Sequence, residues 1–224
     1  MTGKLITIEG IDGSGKGTQS SKLVSELSKI GIPAKMYSFP AYNETFFGKE
    51  IGAFLRGEFG TINEVHPKLA ALLFASDRLE QKANLIKDLR EGFFVVCDRY
   101  VESNIAHQAA KVSEKNRDQF ISWIKELEYH INELPKPDVT VFLDVPLPVS
   151  KDLVLKKKLR SYTDEKEDIH EADHTYLEKV YAVYKRQQYL ENWHTINCVN
   201  DKKVRSIEDI NNEIIKLVLK NNHE

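Results

Sequence analysis

Cysteine is scarce in this chain, and neither sign of charge is in excess. Two cysteines, Cys97 and Cys198, stand among 224 residues, and both sit in apolar, strand-like runs, FFVVC and HTINCV. Two thiols make a poor disulfide scaffold for a chain of this size, so they read as buried and reduced. Lysine and arginine number 32 against 34 acidic residues, a formal net charge of −2. That balance carries no footprint for nucleic acid or for an anionic membrane surface. No apolar run approaches the ~20 residues that span a bilayer, and a strand-like segment begins within the first few residues, leaving no space for a signal peptide. Internal repeats, interdomain linkers and the N/T-K-x-D pattern of guanine-reading switches are also missing. These absences lead to the expectation of a cytoplasmic protein forming a single domain over residues 1–224.

What the chain does have is strand–helix alternation. Five short segments, residues 5–9, 34–39, 93–97, 139–145 and 195–199, are rich in β-branched or aromatic residues and nearly continuous in apolar character, as strands covered on both faces are. Helical stretches are expected at about 15–30, 67–90, 101–111, 115–132, 149–160, 172–191 and 206–220. Pro67 in a first turn and Gly92 after a last one mark the ends of the second. Such alternation, with right-handed crossovers, predicts a doubly wound, five-stranded parallel sheet flanked by helices. Ligands of such sheets bind at the carboxyl ends of the strands. Residues 151–173 are the most charged and least apolar stretch, a candidate lid.

The first strand runs directly into Gly10-Ile11-Asp12-Gly13-Ser14-Gly15-Lys16, a G-x-x-x-x-G-K loop between a strand and a helix. The glycines let backbone N–H groups close around a phosphate chain, Lys16 adds a point charge, and the helix behind it points its positive dipole end at the anion. One position departs from the usual pattern. Gly17 stands where a serine or threonine normally holds magnesium, and Thr18 follows, so either Thr18 or a water has to complete the metal shell.

Two further segments gather chemistry. The third strand ends in Asp98-Arg99-Tyr100, next to the phosphate loop in folds of this kind, where a structural ion pair is the competing reading. The helix after it carries Ser103, Asn104, His107, Gln108 and Lys111. The last four share a face at i, i+3, i+4, i+7, opposite an apolar stripe of Val101, Ile105 and Ala109, and a solvated face would explain them equally well. In the 67–90 helix, Leu72, Leu79 and Ala83 make one apolar stripe. Phe74 lies well off it, with Arg78 on its own face. That pair suits a stacked nucleobase with a hydrogen-bonded carbonyl, or a second packing face against a neighbouring helix.

Taken in order, IEGIDGSGKGTQ, SFP, LLFASDR, DRYVESNIAHQ and PDVTVFLDVP resemble the thymidylate kinase family of P-loop nucleoside monophosphate kinases, over about residues 4 to 190. The resemblance implies transfer of a phosphoryl group from ATP, with Mg²⁺, to dTMP. It also implies a homodimer. It assigns ATP and phosphate binding to Gly10, Asp12, Gly13, Ser14, Gly15, Lys16, Gly17 and Thr18. Phe74 would stack on thymine, Arg78 would bond a base carbonyl, and Asn104 would reach the base edge. Asp12 would lie near the sugar hydroxyl or a metal-bound water. Phe39 and Pro40 would shape the acceptor pocket, with Ser103 and Gln108 beside them. Arg99 would address the acceptor phosphate, and Asp98 and Thr18 would serve the metal directly or through water. His107 stands where relatives often carry a tyrosine against the sugar. Gly13 and Ser14 supply no arginine to the phosphate loop, so Arg160, the single arginine of the 151–173 lid, is expected to act in catalysis with Lys16, Arg99 and Asp12. Its rivals for that task are Lys156, Lys157 and Lys158. The other readings left open are a deoxynucleoside kinase, an AMP-type kinase and a nucleotide-binding module with little catalysis.

Overall fold

The computed structural model describes residues 3–62, 64–156, 174–191, 193–200 and 203–220. Five strands, β1 (Lys4–Glu9), β2 (Ala34–Ser38), β3 (Phe94–Asp98), β4 (Val139–Asp144) and β5 (His194–Asn197), form a sheet of order β2-β3-β1-β4-β5. Every neighbouring pair in it is parallel. Each strand lies within two residues of its expected position. The chain order reverses on the two sides of β1, so the loop leaving β1 opens at the switch point, where doubly wound sheets hold their ligands.

Side chains alternate across the sheet, as the two-residue period of a strand requires. Ile6 and Ile8 of β1, Val96 of β3 and Val141 and Leu143 of β4 pack on one face. There they meet Leu23 and Leu27 of α1 (Lys16–Lys29) and Ile210, Ile214 and Val218 of α8 (Ile207–Lys220). Leu5, Val95, Cys97 and Phe142 face the other way. Their side is covered by α3 (Pro67–Arg90), α4 (Val101–Ala109), α5 (Glu114–Lys125) and α7 (His174–Leu190). Coverage on both faces explains why the strands lack polar alternation. Cys97 and Cys198 are both buried free thiols. Among the described residues no helix is long and apolar enough to cross a membrane.

Three features differ from the sequence reading. First, a helix, α2 (Phe46–Leu55), stands where none was expected. Thr45 caps it by accepting from Gly48 N at 2.8 Å. Gly48 and Gly52 disguise it, yet a Cβ at Gly48 would lie 2.3 Å from the Ala41 carbonyl oxygen, so this close approach needs glycine. Second, the Leu72/Leu79/Ala83 stripe of α3 faces outward, with Leu72 40% and Leu79 44% exposed. The buried side of α3 carries Ala71, Ala75, Asp77, Arg78 and Leu85. Third, the helix expected over 115–132 is α5 followed by a π-helical turn, Glu126–Ile131. Past β4, α6 (Leu147–Lys156) begins two residues earlier than expected. The rest of the expected lid, with Lys157, Lys158 and Arg160, lies outside the described residues.

Candidate active site

The loop after β1 closes tightly on its neighbours. Gly10 takes φ 152°, and a Cβ there would meet Ser14 Oγ at 2.6 Å. A Cβ at Gly13 would meet the Ser150 carbonyl oxygen at 2.4 Å. The α6 side thus presses on the loop, and Ser150 Oγ donates to the Asp12 carbonyl oxygen at 2.5 Å. Lys16 opens α1, and its ammonium curls back to donate to the Ile11 carbonyl oxygen at 2.8 Å. The side chain is buried. Burial, and after it Arg99, push its pKa down to about 8, against the pull of Asp12 and Asp98.

Gly17 has a spatial reason. A Cβ there would stand 2.9 Å from Asp98 Oδ2, so the Asp98 carboxylate occupies the room a serine or threonine side chain would need. Asp98 Oδ1 is buried and has no hydrogen-bond partner. Thr18 is exposed on the first turn of α1. A lone carboxylate oxygen beside the phosphate loop fits Mg²⁺, which keeps most of its waters and takes one or two carboxylates with substrate phosphates. No cluster of three or more His, Cys, Asp or Glu side chains suited to a metal occurs among the described residues, so the donor set fits that hydrated mode rather than a protein cage.

Arg99 follows β3 in a left-handed backbone conformation, φ 67°, with its N–H on the Ile8 carbonyl oxygen at 3.1 Å. Its guanidinium pairs with Asp12 and donates to Ser103 Oγ at 3.1 Å. A structural ion pair is therefore present in this structure, and Arg99 also lines the cavity described next. Glu9, which the sequence reading passed over as a strand residue, ties this corner together. It accepts from Tyr100 N at 2.7 Å, from Ser103 Oγ at 2.6 Å and from Tyr184 OH at 3.1 Å. Burial raises its pKa, while Ser103 and Arg99 oppose that shift.

Beyond Arg99 lies a cavity partly open to solvent. Asp12, Phe39, Pro40, Phe74, Arg78, Arg99, Ser103, Asn104, His107 and Gln108 all line it, joined by Tyr42 and Leu55, which the sequence analysis did not single out. Phe39–Pro40 is a cis peptide bond. The loop after it is anchored by Asp77, which accepts from Ala41 N at 3.0 Å and from Thr45 Oγ1. The Phe74 ring is steadied by Phe54, edge-on at 6.3 Å between centroids. Helix α4 is buried on every side, so the solvated-face reading of Asn104, His107 and Gln108 falls. Burial pushes His107 down to about 3, with Arg99 adding to it, so the ring is neutral. Its Nδ1 pairs with Tyr176 OH at 3.1 Å, and that hydroxyl also reaches the His107 carbonyl oxygen at 3.0 Å. Lys111 leaves the group, because its ammonium lies over the rings of Phe54 and Tyr176 at 5.3 and 5.7 Å.

Arg78 differs most from expectation. It forms a two-point pair with Glu128 of the π-helical turn, with Nε on Oε2 at 3.0 Å and an Nη2–Oε1 contact. Arg78 is 2% and Glu128 0% exposed. Truncating one partner of a buried pair leaves the other charge uncompensated. Arg78→Met is therefore expected to lower stability by about 3–5 kcal/mol besides weakening the cavity. Thermal unfolding checks this, and a Tm within about 2 °C of the parent, under ~1 kcal/mol for a domain of this size, would contradict it.

A glycine-rich G-x-x-x-x-G-K loop at the switch point, a buried unpartnered carboxylate oxygen beside it and an aromatic-lined cavity facing an arginine are the features of a P-loop kinase. The family is found by comparison. The thymidylate kinase family model matches residues 8–214. A thymidylate kinase of Plasmodium falciparum is 33% identical over 219 residues, covering 97% of this chain and 90% of that protein. A probable thymidylate kinase of Pyrococcus horikoshii is 32% identical over 225 residues, covering 97% of each. The solved thymidylate kinase of Candida albicans superposes with a TM-score of 0.77 at 26% identity, over 100% of this chain and 94% of that one. The chain belongs to the thymidylate kinase family.

Proposed function

We propose that the protein transfers the terminal phosphoryl group of ATP to dTMP, giving ADP and dTDP. The observation that carries this reading is the cavity. It places an aromatic ring, Phe74, and two buried amides, Asn104 and Gln108, at one side, and Arg99 toward the phosphate loop. A monophosphate acceptor is already an anion near neutral pH, so no general base is needed and the obstacle is charge repulsion. Among the described lining residues the single carboxylate is Asp12, and it is paired with Arg99. That favours an anionic acceptor over the neutral hydroxyl of a deoxynucleoside.

In this reading the loop amides from Gly10 to Thr18 and the Lys16 ammonium hold the donor phosphates. Arg99 turns from Asp12 to the acceptor phosphate, and Asp12, released, faces the sugar hydroxyl or a metal-bound water. Asp98 holds Mg²⁺ directly or through a water, with Thr18 beside it. When bound, the ion draws charge off the donor phosphates. Arg160, expected from the sequence to act in catalysis, lies outside the described residues. The protein works in the cytoplasm as a single kinase domain paired with a second copy. The reduced thiols favour that compartment, and the outward Leu69, Leu72 and Leu79 of α3 offer the apolar face for pairing.

A panel of nucleoside monophosphates with ATP and Mg²⁺ tests the reading. dTMP should be the best acceptor, thymidine should be inert, and faster turnover of AMP or thymidine would sink the proposal. Phe74→Ala should raise the KM for dTMP and barely move that for ATP, because a stacked base is held alike in the ground and transition states. If unfolding, with no selective change in the dTMP KM, is all that follows, Phe74 is a packing residue.

A further inference from the structure

Glu128 has no part in the chemistry proposed above, yet it is completely buried against two residues of the acceptor cavity. It stands in the π-helical turn after α5, a local widening that often marks functional sites. One Glu128 oxygen, Oε2, accepts from Arg78 Nε, and the other, Oε1, takes both the Arg78 Nη2 contact and Asn104 Nδ2 at 2.8 Å. The same Asn104 Nδ2 donates to the Ala71 carbonyl oxygen at 3.0 Å. A paired carboxylate and a backbone carbonyl are acceptors only. The NH₂ end of Asn104 must therefore face them, and the amide cannot flip without setting oxygen against oxygen. Its Oδ1 is left as a buried acceptor with no partner, on a residue that lines the cavity. Gln108, also fully buried there, has neither amide atom engaged. Its amide is free to present either end, so it adapts to a base and does not select one.

We propose that Glu128 is a positioning residue that sets which pyrimidines the cavity takes, by holding the Asn104 amide with its oxygen toward the base. Resting on the reading of this cavity as the acceptor site, the arrangement offers an arginine donor beside a fixed acceptor. That pattern is complementary to a ring carbonyl next to a ring N–H. Thymine and uracil present it at O4 and N3. Cytosine presents the reverse there, an amino group beside a bare ring nitrogen, which would bring N3 against Asn104 Oδ1 and leave Arg78 without an acceptor.

The test compares kcat/KM for dUMP and dCMP with ATP and Mg²⁺, since both lack the methyl group and differ at this edge. The wild-type ratio is expected to be about 100-fold or more in favour of dUMP, as for a site whose buried polar groups are left unpaired by the wrong partner. Glu128→Gln keeps the shape but removes the charge that draws the Asn104 NH₂, so the Ala71 carbonyl oxygen is left as its main hold and the orientation is weakened. Its ratio should fall at least tenfold, while the KM for ATP stays put. Glu128→Asp, which keeps a carboxylate, should retain the preference. A wild-type ratio within threefold of one overturns the inference. So does a folded Glu128→Gln that loses dUMP and dCMP turnover in equal proportion, which would mean that Glu128 only braces Arg78. If Glu128→Gln does not fold, Asn104→Leu carries the test: removal of the held amide must lower the ratio at least tenfold, with Arg78 accounting for what remains, and a ratio kept near 100-fold overturns the proposal. Good dTMP turnover with no dUMP preference removes this inference and leaves the acceptor reading standing. Failure of both dTMP and dUMP as acceptors removes the two together.

Discussion

Lys16→Ala is expected to abolish nearly all turnover, by about 10³-fold or more in kcat/KM, and to leave the fold intact. The scale is that of one preorganised donor lost from a developing charge, about 10²–10³-fold, and Lys16 also helps bind the donor phosphates. The fold should survive because the side chain's one hydrogen bond among the described residues is to the Ile11 carbonyl oxygen, in a loop already shaped by its glycines and by α6. Removing a buried cation beside Arg99 even relieves one repulsion. The parent enzyme carries a companion signature in pH. The Lys16 ammonium titrates at about 8, lowered from 10.5 mainly by burial. The charged form is the one that holds phosphate, so kcat/KM for ATP should be full below that pH and fall as pH rises through it, since kcat/KM reports the free enzyme. In kcat the fall should move to higher pH, because bound phosphates favour the ammonium. His107, neutral down to about 3, should add no inflection between pH 5 and 8. Unchanged activity in a folded Lys16→Ala would remove the phosphate-loop reading itself.

Arg99→Ala should lower kcat for dTMP by about 10²–10³-fold, with a smaller rise in the KM for dTMP and little change in the KM for ATP. The guanidinium is planar, permanently charged and forked, which suits two phosphate oxygens at once. The Arg99 backbone is fixed by its N–H on the Ile8 carbonyl oxygen and by the left-handed turn at its Cα, and the guanidinium itself is held by Ser103. Arg99→Lys keeps the charge but not the fork, so most of the loss should remain. The competing view is that the Asp12–Arg99 pair is structural. Asp12 is 25% exposed, and water can solvate it once Arg99 is gone, so stability should change little. Single-turnover kinetics and thermal unfolding on the same variant separate the two. A large drop in Tm with kcat within threefold of the parent would make Arg99 a brace and not a catalytic residue.

The shape of the glycine-rich loop was legible because it is local. Gly10 to Lys16 are contiguous, and their consequences follow from glycine backbone freedom and one helix start. The acceptor side was legible through resemblance and only faintly through pattern. Asn104, His107 and Gln108 share a face, but nothing in their spacing distinguishes a buried cavity wall from a solvated surface. Helix α3 shows why periodicity alone misleads. It carries apolar residues on both sides, and the stripe of Leu72, Leu79 and Ala83 that looks like a core face is the outward one. Its buried side carries alanines and Leu85 together with Asp77 and Arg78, charged residues admitted because Thr45, Ala41 and Glu128 wait for them.

By itself the sequence determined the five parallel strands, the glycine-rich loop between β1 and α1 and the family to which the chain belongs. Each of these rests on short-range pattern or on a contiguous motif, where neighbours in the chain are neighbours in space. Only the tertiary structure decided which face of α3 is inside, that Asp98 fills the room left by Gly17, and that Glu128 stands behind Arg78 and Asn104. Those contacts join residues 24 to 81 positions apart, brought together by crossovers and a π-helical turn. No local propensity encodes a pairing at that distance. It emerges when burial forces each charged or amide group to find the one partner the fold sets beside it.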